Sequence, residues 1–375
     1  MRKTLILAAI IGACAAPVRA AEPIRLGITT ILSGPLADRG QSEQYGAQLA
    51  LDQLNQAGGV LGRPIEAFYA DNACKPDIGV PATKRLLQEV KVPVVIGALC
   101  TPVTHAILPV MAEAQVPLII ATSAGQDFVD ASGVGGNAYA FKTIASDLDI
   151  ARGMLKWSQA NKVHSIAMLA DADGFQQSNA HSFAKAANEA GMVITVNQTL
   201  AKGTDLAALL KTLQEAHPDA IVLNLAGSNA AFFKAFEVSG WKIPVVGRID
   251  LAGAQAAVSP AFREAGGLAG VHSIAVFAPA LPIPAIQDFV ARYRAHTGLM
   301  PTQRSFFVYE AVLLASDAIK RAGTDTPSAI EAALKSSTMP SQLGGTYAMD
   351  DHNHPHLPLF ILGLREGRPT VIATE

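Results

Sequence analysis

From Ile24 onward the apolar positions follow two rhythms in turn. Short runs rich in β-branched residues, "IRLGITTIL", "IEAFYADN", "VPVVIGAL" and "VPLIIAT", have the length and composition of buried strands. Between them apolar residues recur at helical spacing: Ala47, Ala50, Leu51 and Leu54 fall on one face, and "AGGVLGR" ends that helix. "ATKRLLQEV" and "VTHAILPVMAEA" read as two more helices. Strand and helix alternate throughout, the pattern of a parallel sheet covered by helices on both faces.

A second series starts near Asp147. Helix "LDIARGMLKWSQA" leads to strand "SIAMLAD", and the alternation continues through "SNAHSFAKAANEAG", "MVITVNQ", "DLAALLKTLQEA", "AIVLNL", "NAAFFKAFEVSG" and "IPVVGR". Leu206, Leu209, Leu210 and Leu213 repeat the one-face spacing, and His217-Pro218 stops that helix. The tail supplies a strand in "LAGVHSIAVFA", helices at 284–297, 305–322 and 327–335, and closing strands "GTYAM" and "PLFILGLRE". Those pieces are too few for a third sheet, so they are expected to complete the first two. The predicted fold is therefore α/β, with two Rossmann-like lobes joined by a hinge of several crossings. Lobe 1 comprises 22–143 plus 275–340, and lobe 2 comprises 144–274 plus 341–375. Ligand pockets favour such interfaces.

The residues before this pattern belong to another category. "MRKTLILAAIIGACAAPVRA" has two basic residues, an apolar stretch and a small-x-small end at Val18-Arg19-Ala20, which reads as a secretory signal over residues 1–20. The stretch is too short, and too broken by Pro17 and Arg19, for a membrane anchor. Lipid attachment at Cys14 is the competing processing event. Cleavage after Ala20 removes three cations and takes the formal charge from -2 to -5. So mild an acidity points to neither nucleic acid nor an anionic membrane surface as partner.

Cys74 and Cys100 are the cysteines left after cleavage, and an even pair in an exported chain is expected to be oxidised. That expectation competes with a catalytic pairing of Cys100 with His105. In open parallel sheets ligands bind beyond the carboxyl ends of strands. Three such ends carry small polar residues: Ser33-Gly34-Pro35, Cys100-Thr101-Pro102 and Thr122-Ser123-Ala124-Gly125. Thr101 and Pro102 fit an N-cap and first helical position, where unpaired N–H groups attract a carboxylate. His352, His354 and His356 alternate in "DDHNHPHLP", but Pro355 favours a polar turn over a metal site. "GGVLGR" follows a helix and precedes a strand, the reverse of a dinucleotide loop, so no cofactor is expected.

Taken in order, "SGPLADRG", "GAQLALDQLNQAGGVLGRPIE", "DNACKPD" with "VIGALCTPVT", "DADGFQQS", "KGTDLAALLKTLQ" and "FFVYEAVLLASDAI" resemble the type I periplasmic solute-binding proteins of ABC importers, specifically their leucine/isoleucine/valine-binding branch. The resemblance implies a Venus-flytrap protein in the periplasm. It would be a monomer without catalysis that closes on a small carboxylate-bearing solute, a branched-chain or related amino acid, and delivers it to a permease and ATPase of the inner membrane. It also implies a Cys74–Cys100 disulfide, which places Cys100 as a staple and His105 on a helix surface.

The family's ligand contacts map onto Thr101, Thr122, Ala124 and, in the second lobe, Phe175; Ser123 lies between two of them, and Ser33 is a candidate from its strand end alone. Four positions depart from the pattern. Arg39 stands where amino-acid binders carry an aromatic, Ala226 where a tyrosine is usual, Ala124 lacks a hydroxyl, and Asp250 matches the ammonium-binding acid only with a one-residue shift. Arg39, Arg248 and Arg304 all lie near predicted cleft positions, where guanidinium recognition of a carboxylate competes with a plain surface charge for each. The readings that compete are an amino-free aromatic or aliphatic carboxylate, a ligand sensor of the same fold, and an exported Cys/His hydrolase.

Overall fold

The computed structural model describes residues 22–375, so the expectations for the signal segment and Cys14 lie outside the described residues. The first half runs β1 (Ile24–Thr30), α1 (Ala37–Gln56), β2 (Ile65–Asp71), α2 (Pro76–Arg85), β3 (Val95–Gly97), α3 (Thr101–Ala114), β4 (Leu118–Ile120), α4 (Gln126–Asp130) and β5 (Ala140–Lys142). The second series runs α5 (Asp147–Ala160), β6 (Ser165–Asp171), α6 (Gly174–Glu189), β7 (Val193–Leu200), α7 (Leu206–Glu215), β8 (Ala220–Asn224), α8 (Asn229–Ser239), β9 (Val245–Gly247), α9 (Leu251–Ala257), α10 (Pro260–Glu264) and β10 (Val271–Ala275). The tail adds α11 (Pro284–Thr297), α12 (Gln303–Ala322), α13 (Pro327–Lys335), β11 (Phe360–Arg365) and β12 (Arg368–Thr374).

These strands form two sheets. The first is ordered β2-β1-β3-β4-β5 and is parallel throughout. The second is ordered β12-β11-β10-β9-β8-β6-β7, parallel except that β11 pairs antiparallel with both β10 and β12 at its edge. The chain passes from the first sheet to the second after β5. It returns after β10, because α11 and α12 pack against α1, and crosses again between α13 and β11. Their central strands are buried on both faces, as in Leu26, Ile96, Ile119, Met168, Val222 and Val245, which explains runs that are apolar without alternation.

Two glycines set α1 in place. A Cβ on Gly40 would strike the Ile31 carbonyl, and one on Gly46 would strike the Ser305 carbonyl, so α1 lies directly on the exit of β1 and on the first turn of α12. This close approach brings Arg39 and Glu43 of α1 to Arg304 of α12. At the first crossing, Ser146 and Asp149 make a reciprocal capping box that starts α5.

Two tail expectations change. "GTYAM" forms no strand: Gly344 and Gly345, both at positive φ, turn the chain, and the segment makes a single bridge between Pro340 and Thr346. Tyr347 is buried instead, its hydroxyl donating to Glu310 at 2.6 Å. The last strand, β12, lies beyond the strands that the sequence pattern predicts. It forms because Glu366 and Gly367, at φ 49° and 71°, make the left-handed two-residue turn that suits a twisted hairpin.

Candidate functional site

The carboxyl ends of the first sheet converge on α1. Glu43 is buried there, and its two oxygens accept the Thr30 hydroxyl at 2.5 Å and the Thr122 hydroxyl at 2.8 Å. It thereby ties the end of β1 to the loop after β4. Burial pushes its carboxyl up to about 7, against the opposing pull of those hydroxyls and of the Arg304 charge. Sequence reasoning missed Glu43. The signal was available: it holds the helix face shared by Gly40, Gly46, Ala47 and Ala50, all buried, and an acid in a buried stripe requires partners.

Arg304, in the first turn of α12, is half-buried and makes no hydrogen bond or ion pair among the described residues. Burial, then the neighbouring Arg39 guanidinium, holds it below the ordinary arginine value. Arg39 is exposed, and its side chain is likewise unpartnered among the described residues. Arg248, beyond the end of β9 in the second sheet, also acts on Arg304. Guanidinium groups from both sheets therefore lie within electrostatic reach of one another.

Around Arg248 the second sheet builds a rigid wall. Its Nη1 donates to Asp147 and to Asn179, each at 2.8 Å, and its guanidinium lies 5.1 Å from the centre of the Phe175 ring. Phe175, at the start of α6, is 51% exposed, unusual for so large an apolar ring. Asp173 caps that helix by accepting from the Gln176 N–H.

The other expected contacts take varied positions. Ser33 is exposed in the loop after β1, where Leu32 N–H donates to Asp71 at 2.9 Å. Cys100, not Thr101, is the N-cap of α3, so Thr101 and Pro102 move one place into the helix; Thr101 is exposed at the end that offers free N–H groups. The Ser123 hydroxyl turns inward, donating to the Ala98 carbonyl at 2.8 Å and pairing with Thr104 at 3.0 Å, which leaves only its backbone toward the strand ends. The Ala124 carbonyl accepts the Asp147 N–H at 2.8 Å across the first crossing. Ala226 N–H donates to Asp171, and Asp250 caps α9 through the Gly253 N–H.

Cys74 and Cys100 are joined in a disulfide with Cα atoms 5.3 Å apart. Its sulfur is no free nucleophile, and His105 instead pairs with Asp127 at 2.7 Å on the exposed side of α3. The histidine run has a different part. His354 is buried with Nδ1 on the Lys142 carbonyl and Nε2 on Asp149, both at 2.8 Å, so it links the first crossing to the third. Asp149, His354 and His356 offer atoms within 4.8 Å of one another, with His354 engaged on both nitrogens. Lys142 is buried beside them, its ammonium donating to the Ile144 carbonyl at 2.5 Å and brought down to about 7 by burial despite Asp147 and Asp149.

Residues 23–368 match the family model of the periplasmic binding proteins, and the chain belongs to that family. It is 24% identical over 343 residues to the leucine-, isoleucine-, valine-, threonine- and alanine-binding protein of Pseudomonas aeruginosa, covering 87% of this chain and 85% of that one. A crystal structure of a branched-chain amino acid ABC transporter protein from Rhodospirillum rubrum is 26% identical, with a TM-score of 0.79 over 93% of this chain and 100% of that one. A solute-binding protein of an ABC transporter from R. palustris, solved with benzoate, shares the fold at a TM-score of 0.71 and 18% identity, covering 94% and 96% of the two chains. The chain is a solute-binding receptor of the ABC transporter type, not an enzyme, and the family works outside the cytoplasm. No helix among the described residues is long and apolar enough to cross a membrane.

Proposed function

We propose that the protein is a periplasmic monomer that takes up a small carboxylate-bearing solute and hands it to a permease and ATPase in the inner membrane. Lobes of 22–143 plus 275–340 and 144–274 plus 341–375 close on the solute, because only the closed arrangement lets both contact it. The observation that carries this reading is the convergence of Arg304 and Arg39 from the first lobe with Arg248 from the second, beyond the strand ends where such folds bind ligands. Thr101 at the α3 N-terminus and Thr122 beside Glu43 supply neutral donors, and Phe175 supplies an apolar wall. The ligands for which the relatives are named or with which they were solved, branched-chain and small amino acids in one case and benzoate in another, share a carboxylate.

Two ligand classes follow: branched-chain or related amino acids, and carboxylates without an amino group. The uncommitted arginines favour the second. A thermal-shift screen of protein stripped of co-purified solute tests the function. Saturation at 100 times Kd should add about 2.7 kcal/mol of stability for the true ligand. A screen in which no small carboxylate raises the melting temperature would contradict the proposal.

A further inference from the structure

We propose, on the reading that the chain is a solute receptor, that its ligand is an amino-free organic carboxylate held by Arg304 and Arg39, and not an α-amino acid. Cations outnumber available anions at the strand ends. A guanidinium carries five N–H donors and is always charged. Arg304 is half withdrawn from water with none of these donors engaged among the described residues, and it sits beside a second unpartnered guanidinium on α1. Such a pair is costly unless an anion completes it, because both desolvation and like-charge repulsion oppose it.

Among the described residues no carboxylate forms an ion pair with Arg304, although Glu43 and Asp38 act on it at a distance. Glu43 lies within reach of Arg304's charge, but its oxygens are occupied by the Thr30 and Thr122 hydroxyls. Nor do the acids of the second sheet offer an open site for an ammonium. Asp147 is held by Arg248, Asp171 accepts the Ala226 and Ser228 N–H groups, and Asp173 and Asp250 each cap a helix. Asp38 is the exception. It is exposed, makes no side-chain hydrogen bond among the described residues and acts on Arg304 at a distance, yet it points about 100° around α1 from Arg39.

An α-amino acid would therefore bring its ammonium beside two arginines unpartnered among the described residues, with every acid there but Asp38 already engaged. A carboxylate lacking that group brings only the charge the site is missing. Its apolar body, aromatic or aliphatic, would meet the half-exposed Phe175 ring that Arg248 braces from behind. Specificity of this sort rests on repulsion of the wrong ligand as well as attraction of the right one.

Matched pairs isolate the ammonium. Calorimetric titration of solute-stripped protein at pH 7 and low salt would compare 4-methylpentanoate with leucine and 3-phenylpropanoate with phenylalanine, with benzoate and succinate separating mono- from dicarboxylates. The desamino member of at least one pair should bind tenfold or more tighter than its amino acid. Arg304→Gln should weaken that binding by roughly 10- to 100-fold, with Arg304→Lys intermediate. Arg39→Gln, at an exposed position, should weaken it without changing the melting temperature of the empty protein. Asp38→Asn should leave it unchanged. Tighter binding of leucine or phenylalanine, a loss of affinity on Asp38→Asn, or unchanged affinity in both arginine variants would overturn the inference and leave the receptor reading in place. If no carboxylate of either kind binds, the receptor reading itself fails.

Discussion

The Thr122 hydroxyl donates to Oε1 of Glu43 at 2.8 Å, joining a strand-end loop to a buried acid of α1 that lies within reach of the Arg304 charge. Glu43 ionises near neutrality because burial pushes it up to about 7. Its folded value lies above its unfolded one, so its contribution to stability is complete below about 4.5 and is lost as pH rises through about 7. An anion bound nearby is repelled by the ionised form. Affinity for the carboxylate should therefore fall several-fold from pH 6 to pH 8, and Glu43→Gln should flatten that slope. Titrations at both pH values check this, and an equal slope in the variant would locate the dependence elsewhere.

Arg248 is bound quite differently from Arg304. Its partner Asp147 is nearly inaccessible, with a side chain 2% exposed, so Arg248→Ala would strand a buried carboxylate and leave the Asn179 oxygen without its donor. The cost should be about 3 kcal/mol. Arg304→Gln, by contrast, removes a charge with no partner among the described residues and should leave the empty protein at least as stable. Thermal unfolding of the two variants without ligand makes the comparison; equal destabilisation would mean that Arg304 has a structural partner.

The disulfide closes a loop spanning a sequence separation of 26. In the chain-entropy model that cross-link is worth about 3.5 kcal/mol. Because Cys100 is also the N-cap of α3, the bond restrains the helix end that carries Thr101. Reduction should lower the melting temperature by several degrees and weaken carboxylate binding. Unchanged unfolding after complete reduction would show that local packing alone holds that loop.

Much of the architecture was legible because its central strands are buried on both faces and its helices are not. Val222 and Met168 belong to unbroken apolar runs, while Leu210 and Leu213 repeat at helical spacing, so periodicity separates the two kinds of element. The site was legible only in part. Thr101 and Thr122 stand at strand ends that a linear reading can mark, whereas Glu43 and Arg304 are 261 positions apart and meet only because Gly46 lets α12 rest on α1. His354 shows the same limit from the other side. A histidine run resembling a ligand cluster proves to contain a residue whose two nitrogens tie two crossings together, a role set by Lys142 and Asp149, which lie more than 200 positions away.

Closure on an intact ligand is the claim from which the rest follows. Small-angle X-ray scattering of solute-stripped protein, recorded before and after adding the carboxylate that gives the largest thermal shift, measures it directly. The radius of gyration should fall on saturation and return when the solute is dialysed away, with the solute recovered chemically unchanged. A scattering curve that does not respond to a saturating ligand, or a recovered compound that differs from the one added, would contradict the account.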